Sequence, residues 1–409
     1  IDNTGTPVTR GVRNPLGLLR QYKSTSDIKR VIGNADVDYK LHFLPELKFH
    51  ATVGYDYAEG KGKIYVPEEA AEYATTGGRD FTYGPQINTN RLLTTYLNYN
   101  KTFGEFTVDA TAGYDYQAWK SSSEKYSELN VAGIEQKSIA ASDQRHVLLS
   151  YYGRLNLTYD TRYMLTATIR RDGTSRFNKD NRWGTFPSLA LAWRISEESF
   201  LENWETLSNL KLRGSYGVTG QQDGIGNYNY LPVYTGSQSG AEYQFGNAFY
   251  PTYRPEAYAS DLKWETTTAW NAGIDFGFFN NRLSGSVDFY TRKTKDLLAT
   301  VPSPAGTNFD KTILTNVGNV DSHGLEFGLN VTPIDTKNIT WDMSFNATWQ
   351  RMKIQNLSLV KGTAITNTSV GPTIDSYYFQ VLSEGYEPYM FYLYHQLYDE
   401  KGKPIEGAY

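Results

Sequence analysis

The chain has 409 residues, including 33 Tyr, 19 Phe, 8 Trp and 36 Gly, no Cys, and a formal net charge of −4. Without Cys it holds neither disulfides nor thiolate-bound metals, and its slightly acidic balance excludes the basic footprint of a nucleic-acid-binding protein. No apolar run approaches the roughly 20 residues of a membrane helix, yet a strand that crosses a membrane needs apolar residues only at alternate positions.

Most of the chain is predicted to form strands, because apolar and polar residues alternate along it. Residues 1–26 are predicted to be loop, and acidic residues after Ser196 predict one short helix over 197–207. The connections alternate between short turns and long polar loops. Strands are predicted near residues 28–44, 47–57, 93–99, 106–116, 151–159, 163–169, 189–195, 210–218, 270–278, 283–289, 325–331, 339–349 and 388–398.

The clearest hairpin runs from Trp270 to Phe289. One face of both strands is apolar and aromatic, and the other is small, polar or charged. Asn tolerates positive φ, so Asn280-Asn281 is predicted to form a two-residue turn that pairs Phe278 with Leu283. We expect this turn to lie on the periplasmic side.

Short turns at one end, long loops at the other and aromatic residues near strand ends predict an outer-membrane β-barrel. A soluble propeller or sandwich would place its turns at a regular spacing of about 8–12 residues. The predicted fold is all-β: a transmembrane antiparallel β-barrel, of which this chain supplies an arc of about 13 strands. Unpaired strand edges in lipid would leave costly backbone groups, so we expect further strands to close the barrel. Barrels of about 22 strands hold a plug in their lumen.

Several short motifs together resemble one family of membrane proteins. From about residue 31 onward, the chain is similar to the C-terminal barrel region of the SusC/RagA-like TonB-dependent outer-membrane transporters. On this basis, residues 1–409 are expected to be a partial TonB-dependent receptor β-barrel domain, with the plug domain and the remaining strands outside this chain. The motifs lie at residues 151–156, 171–177, 181–188, 210–217, 262–265, 316–318, 323–326 and 402–407.

The resemblance implies a function and a set of partners. Members of this family import glycans or peptides across the bacterial outer membrane, beneath a SusD-like surface lipoprotein that acts as a lid. They draw energy from TonB–ExbB–ExbD through the plug. The resemblance therefore implies a multi-pass outer-membrane protein surrounded by lipid, and it allows a dimer of transporter–lipoprotein pairs.

Enzymatic function is not expected. The sequence has no Gly-x-Ser-x-Gly elbow, no phosphate-binding glycine loop and no His-Glu-x-x-His, so no catalytic residue or cofactor is predicted. His42 and His50 are predicted to point into the lumen and could face each other. Two His fall short of the usual three or four metal ligands. Glu197 and Glu198 are expected to be solvated charges that complement a helix dipole.

Three groups of residues are candidates for contact with substrate or partner. Polar residues such as Arg213, Asp275 and Asp288 would line the interior, either as a polar wall for substrate or bonded to a plug or water. Aromatic residues of one long loop could stack on sugar rings or contact the lid lipoprotein: Tyr228, Tyr230, Tyr234, Tyr243, Phe249, Tyr250 and Tyr253. A second polar cluster could contact substrate or lid, or could be a mutually bonded loop clamp: Arg176, Asn178, Asp180, Asn181 and Arg182.

Three functions remain open from the sequence. The first is an active importer of oligosaccharides, which the aromatic, Asn-rich loops favour. The second is the same kind of transporter acting on oligopeptides. The third is a passive porin or a barrel adhesin, which would need neither TonB nor a partner lipoprotein.

Overall fold

The computed structural model of the protein describes residues 14–73, 75–237, 240–303, 306, 310–357, 368–374 and 377–407. Its α-helix, α1, covers Pro15–Gln21, so the predicted loop over residues 1–26 contains a helix. Asn14 caps it, since its side-chain oxygen accepts the backbone N–H of Leu16 at 2.9 Å, and proline suits the first helical position. In the described part of the chain, no helix has the length and apolar character to cross a membrane.

Strands make up most of the described chain. They are β1 Lys23–Lys40, β2 Leu47–Val66, β3 Arg79–Phe103, β4 Phe106–Ser123, β5 Tyr126–Leu129, β6 Glu135–Ile139, β7 Ser142–Tyr159, β8 Tyr163–Thr174, β9 Trp183–Arg194, β10 Leu207–Gln221, β11 Tyr234–Gly236, β12 Tyr243–Phe245, β13 Ala248–Tyr250, β14 Tyr253–Pro255, β15 Glu265–Phe278, β16 Leu283–Lys295, β17 Leu298–Pro302, β18 Thr312–Asn316, β19 Asn319–Asp335, β20 Thr340–Asn356, β21 Thr368–Ile374, β22 Tyr377–Leu382 and β23 Met390–Phe391.

The long strands form one sheet with a simple order. It is 14-stranded and runs β1-β2-β3-β4-β7-β8-β9-β10-β15-β16-β19-β20, with β5 attached to β3 and β6 attached to β5. Each long strand lies beside the long strand that follows it in the chain, and the ladders from β9 to β20 are antiparallel. The fold prediction is confirmed: this is part of a transmembrane antiparallel β-barrel, with β1 and β20 at the two ends of its strand order.

The predicted alternation of short and long connections is confirmed except at β9, which residues 175–182 join to β8 and the longer segment 195–206 joins to β10. Short turns follow β1, β3, β7, β15 and β19, while longer segments follow β2, β4, β10, β16 and β20. Left-handed residues close the short turns, among them Gly104 with φ of 60° and Asp160 with φ of 46°. Long loops mark the extracellular end of such barrels and short turns the periplasmic end.

The chain divides into two compact units. The first comprises the described residues up to 98, together with 112–151 and 173–175, and includes the β1–β2 ladder. The second comprises 99–111, 152–172 and 176 onward. Its ladders run without interruption from β9 to β20.

The hairpin of β15 and β16 has the predicted register, with Phe278 opposite Leu283 and Phe276 opposite Gly285. Its turn is longer than the two residues predicted. The strands end at Phe278 and Leu283, and Phe279, Asn280 and Asn281 all have positive φ, from 56° to 61°. Three left-handed residues in succession reverse the chain over a wider loop than a primed β-turn does.

The two faces of this hairpin differ in composition and exposure. Trp270 is 59% exposed, Ile274 42% and Phe289 50%, so the apolar face does not pack into a protein core. Such a face suits the hydrocarbon of a bilayer, where apolar side chains need no burial within the protein. The opposite face carries Asp275 and Asp288.

One predicted helix and one predicted strand are also wrong. Residues 197–207 do not form an α-helix: a 3₁₀-helix covers Ile195–Glu197, and the next N–H groups, such as that of Leu201 to Glu198, close turns between residues three apart. Residues 388–398 do not form a thirteenth long strand. The one strand there, Met390–Phe391, pairs with β22 directly after Tyr389, whose φ is positive, and Tyr398 forms an isolated bridge to Pro404.

Glu198 is also not the solvated charge that was expected. Its carboxylate accepts hydrogen bonds from the Tyr163 hydroxyl at 2.5 Å, the Trp193 indole at 2.9 Å and Arg162 at 3.0 Å. These bonds, with that of Tyr163 first, lower the pKa of Glu198. The carboxylate thus fixes the connection between β9 and β10, which covers residues 195–206.

The two histidines do not face each other. His42 bonds through Nδ1 to the Tyr39 hydroxyl at 3.1 Å. His50 instead contacts Asp38 at 2.8 Å and Thr52 at 2.9 Å. Within the described ranges, no group of three or more His, Asp or Glu side chains is arranged to hold a metal ion.

Candidate functional site

A charged network lies on the polar face of β10, β15 and β16. The Arg213 guanidinium donates to Asp275 at 2.8 and 2.7 Å and to Asp288 at 3.0 Å. Lys211 lies 3.9 Å from Asp275. These charges satisfy one another, which makes the polar face a pre-ordered surface.

Two glycines permit such contacts to cross an intervening strand. A Cβ on Gly273 would lie 2.3 Å from Asp288 Oδ1 and 3.0 Å from Arg213 Nη2. In the same way, Tyr290 donates to Gln350 at 3.0 Å over Gly324, where a Cβ would lie 2.6 Å from the tyrosine ring. Sequence reasoning missed both residues. The only signal is a glycine on the polar face of an otherwise regular strand.

The predicted polar cluster forms what we call the loop clamp, the contacts between residues 176–182 and 260–264. The Asn181 amide donates to the Asp261 carbonyl at 2.9 Å, and the Asn178 amide donates to the Ser260 carbonyl. Asn178 also accepts the backbone N–H of Asp180 at 2.9 Å. Both asparagine side chains therefore bond to backbone and hold two loops together.

Aromatic packing buries the centre of the loop clamp. Phe177 and Leu262 have no exposed surface, and Trp264 is 7% exposed. The Trp264 ring meets Phe177 and Phe186 edge-on, at 5.6 and 5.4 Å between centroids, an arrangement that aromatic quadrupoles favour. Its indole N–H donates to the Arg182 carbonyl at 3.0 Å. Leu262 and Trp264 belong to a motif that pointed to the family, but sequence reasoning did not place them here.

Arg176 extends the loop clamp to the start of the long loop. Its guanidinium donates to the Gln222 carbonyl at 3.3 Å, to Asp223 at 3.2 Å and to Asn227 at 3.4 Å. Asp180 is exposed. Arg182 is half-buried, and its Nε has no hydrogen-bond partner among the described residues.

Asn316 fixes the next loop by the same means. Its side chain accepts the N–H of Lys263 at 2.8 Å and donates to the carbonyls of Lys263 and Asp296 at 2.9 and 2.8 Å. Thus motifs separated in the sequence, at residues 181–188, 262–265 and 316–318, meet in the second unit. Amide-to-backbone bonds recur because one Asn side chain can serve a donor and an acceptor at once.

We call the loop clamp and the loop fixed by Asn316 the rim. The predicted aromatic loop, at the same long-loop end, forms two short ladders, which we call the aromatic hairpins. In one, Tyr243 lies opposite Tyr250. In the other, Tyr234 lies opposite Pro255. Among the predicted aromatic residues, Tyr230 is half-buried. The others are exposed, with these exposed fractions: Tyr228 41%, Tyr234 63%, Tyr243 62%, Phe249 60%, Tyr250 54% and Tyr253 68%.

A charged group steadies the base of the aromatic hairpins. Arg254 donates to Glu256 at 3.0 Å. A hydrogen bond from Thr235, followed by that from Arg254, lowers the pKa of Glu256. The exposed rings thus stand on an ordered backbone with an ionised carboxylate at its base.

Comparisons with known proteins agree with this architecture. Residues 2–388 match the family described as TonB dependent receptor-like, beta-barrel. The chain is 41% identical to the TonB-dependent receptor SusC of Bacteroides thetaiotaomicron, over 97% of this chain and 40% of that protein. It is 34% identical to the TonB-dependent receptor P39 of Formosa agariphila, over 77% of this chain and 30% of that protein. The chain therefore spans less than half the length of these relatives.

Solved structures share the fold. A structure titled as the RagAB peptide transporter superposes with a TM-score of 0.77 at 24% identity, over 94% of this chain and 42% of that one. The antiparallel sheet, the alternating connections and the match over nearly the whole chain lead to one assignment. The chain belongs to the TonB-dependent receptor β-barrel family, and within it to the SusC/RagA-like transporters.

Proposed function

We propose that this chain is the barrel portion of an outer-membrane importer of oligosaccharides. The observation that carries this proposal is the set of exposed Tyr and Phe side chains on the aromatic hairpins, at the long-loop end of the barrel. Tyrosine faces bind the apolar faces of sugar rings while their hydroxyls remain available for hydrogen bonds. Family membership supports transport in place of catalysis.

The ordered rim beneath the aromatic hairpins supports binding of a glycan in preference to its passive diffusion through a pore. The loop clamp and Asn316 hold three loops by bonds to backbone. A rigid rim lowers the entropy lost when a flexible glycan binds. The polar face below offers ordered carboxylates and amides to sugar hydroxyls.

Two partners belong to the proposal. A SusD-like surface lipoprotein would cover the extracellular mouth, and TonB–ExbB–ExbD would supply energy through a plug. The match to a receptor family that is named for its dependence on TonB supports the second partner. The motifs that resemble the SusC/RagA-like family support the first.

Oligopeptides are the second candidate substrate. The alternation of Arg213 with Asp275 and Asp288 on the polar face would suit the charged termini and side chains of peptides. The same exposed tyrosines serve protein contacts well. The charged network would thus bind the charges of a peptide, whereas a neutral glycan would form only hydrogen bonds with it.

Calorimetry on the intact transporter with its lipoprotein tests the proposal. A panel of neutral oligosaccharides and a panel of oligopeptides are titrated into the same preparation. We expect heat from at least one glycan series and none from peptides. Tight peptide binding with no glycan response would overturn the glycan assignment. High single-channel conductance without any need for TonB would instead identify a passive pore.

A further inference from the structure

A band of cations lies on the outward face of the last three long strands. On β20, Arg351 and Lys353 continue the outward row that includes Phe345 and Trp349. Strand alternation puts these residues on the same face. The row thus changes from apolar to basic as it approaches the long-loop end.

The neighbouring strands continue the band. On β16, Lys293 and Lys295 follow the outward residue Phe289. The ladders place Lys293 opposite Asp321, and Asp321 opposite Lys353. We call Lys293, Lys295, Arg351 and Lys353 the basic cluster. All four are exposed.

The basic cluster is not neutralised within the described chain. The ion pairs among the described residues join none of its four side chains to a carboxylate. Asp321, the acid between Lys293 and Lys353, is half-buried and has no salt bridge among the described residues. Charges that stand this close to an apolar surface without partners attract an external anion.

Three other outward cations near the long-loop end are already paired. In the first unit, Lys63 lies 2.9 Å from Asp80 and Lys120 lies 3.1 Å from Asp143. In the second unit, the Arg171 guanidinium stacks on Trp183 at 5.5 Å. The basic cluster therefore differs from these three cations in its lack of partners.

A cavity opens beside the cluster. Its volume is about 900 Å³, and its lining includes Arg351, Lys353, His323, Tyr386 and Glu387. Across β19, Lys293 and Lys353 stand roughly 10 Å apart at the backbone, a span that two lysine side chains can share around one phosphate. Glu387 and Asp321 are the acids here, so the cations remain in excess.

We propose that the basic cluster binds the phosphate groups of an anionic lipid headgroup in the outer leaflet. The lipid's acyl chains would lie against Trp349 and the apolar residues below it. The guanidinium of Arg351 suits two phosphate oxygens at once, and the lysines act as point charges. A lipid would fit both surfaces, because its phosphates would meet the cations and its acyl chains would meet the apolar residues below. A soluble anion would fit the cations alone.

The test measures lipid retained by the intact transporter in mild detergent, with bis-phosphorylated lipid A as the probe and native mass spectrometry as the readout. The variant Lys293→Gln/Arg351→Gln/Lys353→Gln should bind at least about tenfold less tightly, since each surface cation contributes to attraction of anionic lipid. The control Lys63→Gln/Lys120→Gln/Arg171→Gln removes the same charge from paired cations and should bind like the wild type.

Two further arms separate lipid from other anions. Fully dephosphorylated lipid A should not be retained, and inorganic phosphate should not displace the phosphorylated lipid. Equal retention by both triple variants, or equal retention of the dephosphorylated lipid, would overturn the proposal. Because a variant could fail to assemble, wild-type affinity is also measured against salt. It should fall as ionic strength rises, and salt-independent binding would refute the phosphate site.

Discussion

Arg213 bonds to Asp288 across the strand that lies between them, with 3.0 Å between Nη2 and Oδ2. At this level the intervening strand, β15, carries Gly273, which pairs with both residues. The guanidinium reaches over the sheet only because glycine has no Cβ. One missing side chain thus links three strands of the polar face.

Replacing Gly273 with Ala should destabilise the barrel. The new Cβ would meet Asp288 Oδ1 at 2.3 Å, so the bond between Arg213 and Asp288 must break, and loss of such a charged hydrogen bond costs about 1–3 kcal/mol. The measurement is urea unfolding of the intact transporter in lipid vesicles. Gly214→Ala on β10 is the matched control, since nothing lies within 4 Å of its Cβ position. Equal midpoints for the two variants would contradict the role given to Gly273.

Ile274→Arg should block membrane assembly. Ile274 is 42% exposed on the apolar face, and an arginine on the lipid side costs about 2–4 kcal/mol at mid-bilayer. Assembly is read from heat-modifiable migration in gels and from the amount in outer-membrane fractions. Asn271→Arg, on the polar face of the same strand, should assemble. If Ile274→Arg assembles as well as that control, the orientation of the faces is wrong.

The alternation of residue types predicted both faces and the register of β15 and β16. Each apolar residue of these strands must lie on the same face, and this requirement alone is enough to pair Phe278 with Leu283. Turn conformation follows less well. Phe279 adopts positive φ beside two asparagines, although its own chemistry does not favour that region.

Contacts between distant segments could not be predicted. Trp264 and Arg182 lie 82 positions apart, and neither residue carries a local signal of the other. The polar cluster suggested either a clamp or a substrate site. The structure bonds Asn178 and Asn181 to backbone, which favours a clamp, while their contact with substrate remains a prediction. Glu198 was misassigned because its partners lie on β8 and β9.

Trp264→Phe tests whether the loop clamp depends on the indole N–H. Phenylalanine keeps an aromatic ring but leaves the Arg182 carbonyl without its donor, at a cost of about 1 kcal/mol. The loop over 176–182 holds several Arg and Lys residues, so trypsin should cut it faster in this variant. Trp270→Phe, at an outward position that is 59% exposed, is the control. Unchanged cleavage in both variants would mean that packing alone holds the loop.

Acid should weaken the fixed connection between β9 and β10. Tyr163 and the other donors lower the pKa of Glu198 below its ordinary value of 4.5, so its stabilising effect is complete above that value. It is lost as the pH falls through the lowered pKa. Unfolding midpoints between pH 7 and pH 3 should therefore drop more in the wild type than in Glu198→Gln. Glu197→Gln, at an exposed position, should follow the wild type, and parallel curves for all three proteins would contradict the assignment.

The double variant Tyr243→Ala/Tyr250→Ala should weaken glycan binding by about fivefold to tenfold, on the scale of about 1 kcal/mol for one aromatic contact. These residues face each other across a ladder and are 62% and 54% exposed, so their loss opens no cavity in a core. Tyr243→Phe/Tyr250→Phe keeps both rings and should retain most of the affinity in calorimetry. If the phenylalanine variant binds as weakly as the alanine variant, the hydroxyls and not the ring faces hold the sugar. If neither variant changes affinity while lipoprotein association falls, the aromatic hairpins serve the lid in place of the substrate.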